Sequence, residues 1–249
     1  MPNIYFESKP SDNVGAFVDC YWWLRAGDGD ESRNPFKILP DGCVDIVFNA
    51  ESAASAVVVG ALTESMSAPL SPNSKFFGIR LNPGAAYWLL GLSAAESTNK
   101  VLSLGGIWKA AERHFFKLRG LDETEQKKGA DELVFRQMSR AIQPEPRVQD
   151  AVDRIVKSAG NISISTLSDE LGLSRQHFAR TFRDHIGFSP KVFSRIVRMR
   201  AVVDLVAKLD RPDWASLAAD FGYFDQAHMI SDFKNLTGAT PTEFRHVGG

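Results

Sequence analysis

The pattern of apolar and polar residues changes character near Pro83. Before this residue, short runs rich in β-branched and aromatic side chains alternate with Gly, Pro, Asp and Asn, as expected for strands joined by turns. We predict strands over residues 3–7, 14–24, 43–49, 56–62 and 76–81. After Pro83, apolar residues recur at the spacing of amphipathic helices, which we place over residues 84–92, 104–118 and 123–142. The last of these three helices carries an apolar stripe, made of Ala130, Leu133, Met138 and Ala141.

Helical spacing continues from residue 148 to the end of the chain. Residues 143–147 contain two prolines and are the best candidate for a linker. Beyond them we predict helices over residues 148–158, 165–171, 174–186, 190–209, 214–221, 225–236 and 241–245. Ser165, Ser174, Ser189 and Thr240 stand where helix N-caps are expected. The predicted fold class is therefore α+β. A β-rich, barrel-like domain with helices would occupy residues 1–142, and an all-α domain would occupy residues 148–249.

The all-α part contains one pattern twice. Residues 167–190 read LSDELGLSRQHFARTFRDHIGFSP, and residues 217–241 read LAADFGYFDQAHMISDFKNLTGATP. Past the turn, Phe182 and Phe233 are 51 residues apart, whereas before it Leu167 and Leu217 are 50 apart, so the second turn has gained one residue. Each copy reads as a short helix, a turn at Gly and a second helix. This pattern predicts two helix-turn-helix units, whose second helices enter the DNA major groove.

The first recognition helix presents residue types that read base edges. At helical spacing, Phe178, Phe182 and Ile186 form its buried face. Gln176, Arg180 and Arg183 fall on the opposite face; Arg pairs with guanine and Gln with adenine. Arg175, in the first turn, suits a phosphate. The alternative is an ordinary solvated polar face.

The second recognition helix is poorer in such residues. Met229 and Phe233 form its buried face, and Ser231 occupies the position that Arg180 holds in the first copy. The residues expected to face outward or to flank that face are Gln226, Ala227, His228, Ser231 and Lys234. Asp225 and Asp232 would be repelled by phosphate, although Asp225 could instead cap the helix. We therefore expect the first recognition helix to contribute more to DNA sequence recognition than the second.

The segment GYFDQAHMISDFKNLTGATPTEFR, residues 222–245, resembles the signature of the AraC/XylS family of bacterial transcription factors. The resemblance covers about a hundred residues and implies two helix-turn-helix subdomains joined by a long helix, reading major-groove segments about 34 Å apart. It implies that double-stranded DNA and RNA polymerase are partners. Matched residue by residue, the base-reading positions of the family fall on Gln176, Ala179 and Arg180, and on Gln226, Ala227 and Ser231. Members usually have Arg at the last of these positions, so Ser231 is a departure.

The N-terminal part carries a weaker resemblance. Residues 38–48, ILPDGCVDIVF, and 78–84, GIRLNPG, resemble an uncharacterised domain often fused to such DNA-binding regions. In the AraC/XylS family, N-terminal domains commonly sense a small molecule or dimerise. The apolar stripe of residues 123–142 could support a homodimer, or it could pack on its own domain.

Candidate ligand-binding residues in the N-terminal part are Trp23, Asp41, Arg80 and Trp88. They belong to two wider groups, the aromatic residues Tyr21, Trp22, Trp23, Phe76, Phe77, Tyr87 and Trp88, and the charged residues Asp41, Asp45 and Arg80. An apolar pocket with a few polar groups is a usual binding site. The plainer interpretation is that the aromatic residues form a core and that the turn at Pro40–Gly42 needs its residues for geometry alone.

The amino-acid composition limits the classes of protein to which this chain could belong. Of 249 residues, 44% are hydrophobic and 24% charged, and the net charge is –1, so any DNA affinity must come from where the basic residues lie. No apolar run approaches the ~18 residues of a membrane span, and the N-terminus lacks a secretion signal. We expect a cytoplasmic, nucleoid-associated protein with reduced Cys20 and Cys43. Cys43 could be a redox sensor or simply a buried thiol.

Other classes of protein fit less well. A metal-dependent barrel oxygenase needs clustered histidines, but residues 1–147 contain only His114. A DNA-repair fusion would need a four-cysteine zinc site, and the chain has two cysteines. We expect no enzyme activity, metal or cofactor. Control by a protein partner instead of a small-molecule effector stays open.

Overall fold

A six-stranded antiparallel sheet organises the N-terminal part of the computed structural model. The structure describes residues 3–27, 36–50, 56–209 and 211–247. Residues 245–247 are described by their backbone alone. The sheet order is β1-β2-β7-β4-β5-β8, and β3 pairs with β6 separately. The strands are β1 (Ile4–Ser8), β2 (Val18–Arg25), β3 (Phe36–Ile38), β4 (Val44–Asn49), β5 (Val57–Val59), β6 (Met66–Ala68), β7 (Lys75–Leu81) and β8 (Val101–Ser103).

Side-chain alternation gives the sheet two distinct faces. On β2, Tyr21 and Trp23 join the main core, whereas Cys20, Trp22 and Leu24 form a small separate cluster on the other face. Both faces of this strand are buried, which explains why its apolar residues form a continuous run instead of alternating with polar ones.

Five helices accompany the sheet: α1 (Ala85–Leu90), α2 (Ala94–Ser97), α3 (Leu104–Ile107), α4 (Lys109–Lys117) and α5 (Glu123–Met138). The predicted apolar stripe packs against the core of the protein. Ala130 and Leu133 are buried, together with Val134, and Met138 and Ala141 are partly buried against the same core. Side-chain hydrogen bonds fix α5 to β2, including one from Arg25 to Glu123. Trp23 Nε1 donates to Gln126 Oε1 at 2.7 Å, and Tyr21 Oη donates to Asp131 Oδ1 at 2.7 Å.

The C-terminal part is entirely helical among its described residues. Its helices are α6 (Pro146–Lys157), α7 (Ile164–Glu170), α8 (Arg175–Ile186), α9 (Pro190–Val206), α10 (Trp214–Asp220), α11 (Gln226–Thr237) and α12 (Pro241–Val247). The predicted fold class, with strands and helices first and helices alone afterwards, is confirmed. None of the described helices is long and apolar enough to cross a membrane.

Three of the four predicted N-caps are confirmed. Ser174 caps α8, Ser189 caps α9, and Thr240 Oγ1 accepts from the Glu243 amide at 3.3 Å. The prediction for Ser165 was wrong, because Ser163 caps α7 by accepting from the Thr166 amide at 3.2 Å. The chain offers serine at both positions, and the tertiary fold selects the earlier one.

Several element boundaries also differ from the prediction. The helix predicted over 104–118 is interrupted at Trp108, whose extended φ of –139° ends one helix and begins the next while its side chain is buried. The strand predicted over 14–24 begins only at Val18. The strand predicted over 56–62 shortens to Val57–Val59. The three-residue strands β3, β6 and β8 and the four-residue helix α2 are too short for periodicity to reveal.

The two parts of the chain share one apolar core, which runs from the sheet into α6, α8, α9 and α11. Polar and aromatic contacts reinforce this junction. The Ser65 amide and hydroxyl donate to the carbonyls of Leu236 and Thr237 at 2.8 and 2.9 Å. The rings of Tyr87 and His185 lie 4.6 Å apart between centroids. The N-terminal part therefore contacts both helix-turn-helix units.

Candidate nucleic-acid interface

The first helix-turn-helix is formed by α7 and α8. The turn begins at Gly172, whose φ of 66° is left-handed and suits glycine. The Leu173 amide then donates to the Ser168 carbonyl at 2.9 Å, and Ser174 caps the second helix. Phe178, Phe182 and Ile186 are buried, as their spacing predicts, so the opposite face of α8 is turned outward.

The outward face of α8 carries the predicted readers. Arg175, Gln176, Arg180 and Arg183 are exposed, and Ala179 is half-buried. An Arg180 Nη2 lies 3.3 Å from His177 Nδ1, so the guanidinium leans along the helix surface toward its first turn. Arginine and glutamine, exposed and one helical turn apart, match the donor and acceptor pattern of guanine and adenine edges.

The second helix-turn-helix, formed by α10 and α11, has a different surface. Met229, Phe233 and Leu236 are buried, and the predicted residues Gln226, Ala227, His228, Ser231 and Lys234 are exposed. Lys234 is the cation of this outward face. The face therefore offers fewer base-reading groups than that of α8.

Asp225 and Asp232, which were expected to oppose phosphate, do not face outward as free charges. Asp225 caps α11, accepting from the His228 amide at 2.7 Å. The prediction that Asp232 would be repelled by phosphate fails, because Asp232 is buried and accepts from Arg195 Nε at 2.6 Å. Its charge is neutralised within the protein.

The long helix α9 fixes the two units relative to each other. Arg198 donates to the carbonyl of Gly160 at 2.8 Å and to that of Gly222, in the second turn, at 3.2 Å. Its guanidinium also lies 5.0 Å from the centre of the Tyr223 ring. Sequence reasoning missed Arg195 and Arg198 as positioning residues, because their partners lie more than twenty positions away and no local pattern marks them.

The candidate ligand residues of the N-terminal part separate into three places. Asp41 and Arg80 lie together, with Arg80 Nε 3.3 Å from an Asp41 oxygen and 3.3 Å from Asp45. Trp23 points to the opposite face of the sheet, where it lines a cleft of about 320 Å³ at one end of the strands. Trp88 is buried near His185 of α8, with ring centroids 6.2 Å apart.

Burial dominates the electrostatics of the Arg80 cluster. It raises the pKa of Asp45 to about 6, against the lowering effect of Arg80, and it raises the pKa of Asp19 as well. Burial likewise raises the pKa of Cys20 to about 12, and it raises the pKa of Cys43 well above its usual value. Both cysteines are free thiols. Because the thiolate is the reactive form, neither environment activates the sulfur.

Comparison with known proteins agrees with this geometry. Residues 6–103 match a family model described as a domain of unknown function (DUF6597), and residues 167–246 match one described as a helix-turn-helix domain. An uncharacterized HTH-type transcriptional regulator of Haemophilus influenzae is 33% identical over 82 residues, which are 33% of this chain and 27% of that protein. The chain therefore spans about a quarter of that relative.

Solved structures are similar at lower identity. The C-terminal domain of AraT, a response regulator from Geobacillus stearothermophilus, is 23% identical, with a TM-score of 0.38 over 41% of this chain and 85% of that one. ToxT from Vibrio cholerae is 12% identical, with a TM-score of 0.48 over 99% of this chain and 98% of that one.

The C-terminal region thus contains a helix-turn-helix domain, as its repeated pattern predicts. It is joined to an N-terminal domain whose family has no assigned function.

Proposed function

We propose that this protein is a transcriptional regulator that binds a specific duplex DNA site, chiefly through α8. The observation that carries the proposal is the exposed row of Gln176, Arg180 and Arg183, opposite the buried face of a capped recognition helix. The hydrogen bonds from Arg198 of α9 to Gly160, before α7, and to Gly222, in the second turn, support a second contact at a fixed distance on the same face of the DNA. RNA polymerase, in a cytoplasmic nucleoid, would then be the functional partner.

The test begins with selection of a binding site from random duplexes, followed by fluorescence anisotropy at fixed salt. Arg180→Ala should weaken binding to the selected site by about 1–3 kcal/mol and relax preference at one or two base pairs. Arg136→Ala is the matched control, since it removes the same charge from an exposed side chain of α5 paired only within its helix. Equal affinity of Arg180→Ala and the control would contradict the proposal.

We also propose that a small-molecule effector binds the N-terminal domain. The cleft lined by Trp23, Phe77 and Gln126 supports this, because it combines aromatic walls with polar groups at one end of the sheet. A thermal-shift screen against metabolites tests the idea, with Trp23→Phe expected to reduce any stabilisation found. A set of metabolites that leaves the melting temperature unchanged, together with capture of a specific protein that alters DNA binding, would favour the alternative of a protein partner.

We further propose self-association through the N-terminal domain, residues 1–142, with 143–147 joining it to the DNA-binding domain. The stripe of α5 is already buried in the core of its own chain, so the surface available for a second copy is the exposed part of this helix and the segment that follows it. Phe135 is 58% exposed and Ile142 49% exposed. Two copies would raise the effective concentration of a domain whose net charge over residues 148–249 is only +1. Sedimentation of the full chain, with and without Phe135→Glu, measures this.

A further inference from the structure

Phe224 is the residue that has been added to the second turn. The two turns begin alike, since Gly172 and Gly222 each donate to the third residue back at 3.0 Å. The next residues also correspond: Leu173 donates to Ser168 at 2.9 Å, and Tyr223 donates to Ala218 at 2.8 Å.

The turns diverge at the following position. In the first, the next residue is the cap, Ser174. In the second, Phe224 intervenes before the cap, Asp225. The insertion is therefore located by hydrogen bonds as well as by sequence alignment.

The Phe224 ring is turned into solvent and is 91% exposed. An apolar residue just before an N-cap often packs on the fourth helical residue, which here is Met229. Met229 is fully buried, however, and Tyr223 contributes to the buried side of this turn. Phe224 therefore adds nothing to the core. The turn does not require it either, because any small polar residue would fit an exposed turn.

The backbone at Phe224 is nevertheless held in place. Its amide donates to His228 Nδ1 at 3.4 Å. The His228 ring packs edge-on against Tyr223, with 5.5 Å between centroids. The backbone at Phe224 consequently has a defined position beside the first turn of α11, from which the exposed ring projects.

We infer that Phe224 makes an apolar contact with a thymine methyl group at the edge of the DNA segment read by α11. This inference rests on the proposed function. The residues nearest the start of a recognition helix are those that reach base edges, and phenylalanine is among the side chains that contact the thymine methyl. It would supply sequence readout in a helix that has Ser231 where α8 has Arg180.

The surroundings of Phe224 favour DNA over a protein partner. A stable protein interface buries about 800 Å² on each side around a cluster of apolar residues. Among the described residues after 160, Phe224 is the exposed large hydrophobic residue. The others lie in β1, in β8, in α4 to α6 and in the segments beside these helices. A single ring is enough for a methyl group and too little for a protein interface.

Removing the methyl group from DNA tests the contact without altering the protein. Uracil should replace each thymine in the α11 half of the selected site, one at a time. One replacement should weaken binding of the parent about three- to fourfold, the value expected for one buried methyl. Phe224→Ser should weaken binding to thymine-containing DNA by a similar or larger factor and should be insensitive to that replacement. Phe116→Ser, which changes an exposed phenylalanine of α4, should behave as the parent.

Each outcome has one meaning. If the parent selects no site, the proposed function fails. If it selects a site and Phe224→Ser binds as tightly as the parent, only the present inference fails. Equal sensitivity of parent and variant to every uracil would overturn the methyl contact. Unchanged DNA affinity with loss of promoter activity would place Phe224 against a protein instead. Because the ring is exposed, the melting temperature of Phe224→Ser should equal that of the parent, which separates a lost contact from misfolding.

Discussion

Arg80 shows how one strand residue organises a buried charged cluster. It lies within 3.3 Å of Glu7, Asp41 and Asp45, so three carboxylates share one guanidinium. Asp45 also accepts from the indole of Trp22 at 2.7 Å and is only 8% exposed. Because burial outweighs the attraction of Arg80, and Asp41 adds repulsion, ionising Asp45 costs stability.

Replacing Asp45 with Asn should change how stability depends on pH. Because the pKa of Asp45 is raised to about 6 in the folded state, the folded protein binds more protons than the unfolded chain between about pH 4 and 6. This group therefore stabilises the fold less as the pH rises through that window. Asp45→Asn keeps an acceptor for Trp22 but cannot ionise. We expect its unfolding free energy relative to the parent to improve by roughly 1–3 kcal/mol between pH 4 and pH 7.

Urea denaturation at several pH values measures that difference. Asp131→Asn, in which a carboxylate that accepts from Tyr21 is neutralised, serves as a comparison outside the cluster. Parallel stability curves for the parent and Asp45→Asn would show that other carboxylates, such as Asp19, carry the pH dependence.

Residues on helix faces could be predicted from sequence, whereas residues that bridge elements could not. Gln176, Arg180 and Arg183 lie outward because Phe178, Phe182 and Ile186 fix the buried face by spacing alone. The position of Arg198 depends on Gly160 and Gly222, which only the folded chain brings near it. Similarly, Asp41 lies in the turn after β3 and Trp88 lies in α1, so only the folded chain brings Asp41 to Arg80 and leaves Trp88 elsewhere.

The two recognition helices are alike in geometry and unlike in surface. Both are twelve residues long, begin at a side-chain cap and end at a glycine with left-handed φ, Gly187 and Gly238. The two helices therefore have equivalent lengths and ends, and any difference in DNA readout must come from their exposed side chains. The sequence predicted both helices well because capping residues and glycines are local signals.

Scrambling one half of the selected site should reveal this inequality. Randomising the α8 half should weaken binding more than randomising the α11 half, because α11 offers Lys234 and its helix N-terminus to phosphates and fewer groups to bases. Competition binding at constant salt and DNA length gives both affinities. Equal losses would mean that Gln226 and His228 read bases as strongly as α8 does.

Irregular elements show where pattern reasoning fails. The break at Trp108 falls inside an apolar pattern that would continue as helix, and the buried indole ends the regular structure there. Tertiary packing outweighs helical propensity at such a point. The short strands β3 and β6 exist only as each other's partner, so neither is visible in its own sequence.

At the scale of the whole molecule, the N-terminal domain touches the DNA-binding domain through the turn after β3. Gly42 has a φ of 82°, and a Cβ placed there would lie 2.4 Å from the Phe193 ring of α9. The neighbouring residue Asp41 belongs to the Arg80 cluster. The turn therefore connects that cluster with the helix that holds both recognition units.

Gly42→Ala should destabilise the junction as well as the turn. The left-handed conformation costs a non-glycine residue about 1–2 kcal/mol, and the contact with Phe193 adds to this cost. Gly120→Ala is the matched control, because Gly120 has a similar φ of 74° with nothing within 4 Å of the added carbon. The melting temperature should fall further for Gly42→Ala, and its DNA affinity should change while that of Gly120→Ala does not. Equal effects of the two variants would mean that the contact with Phe193 is easily relieved.

The common core of the two domains limits how such a chain can be recombined. The sequence predicts a boundary between two domains near residues 143–147. The apolar core nevertheless extends across this boundary, and residues of α8 and α9 belong to the same core as residues of the sheet. An N-terminal domain transplanted from a related chain would meet the DNA-binding region through Gly42, Ser65 and Tyr87, or through the residues at those positions. Exchange of N-terminal domains between related chains would therefore require both sides of the junction to change together, which ties the evolution of this domain to that of the helices that it contacts.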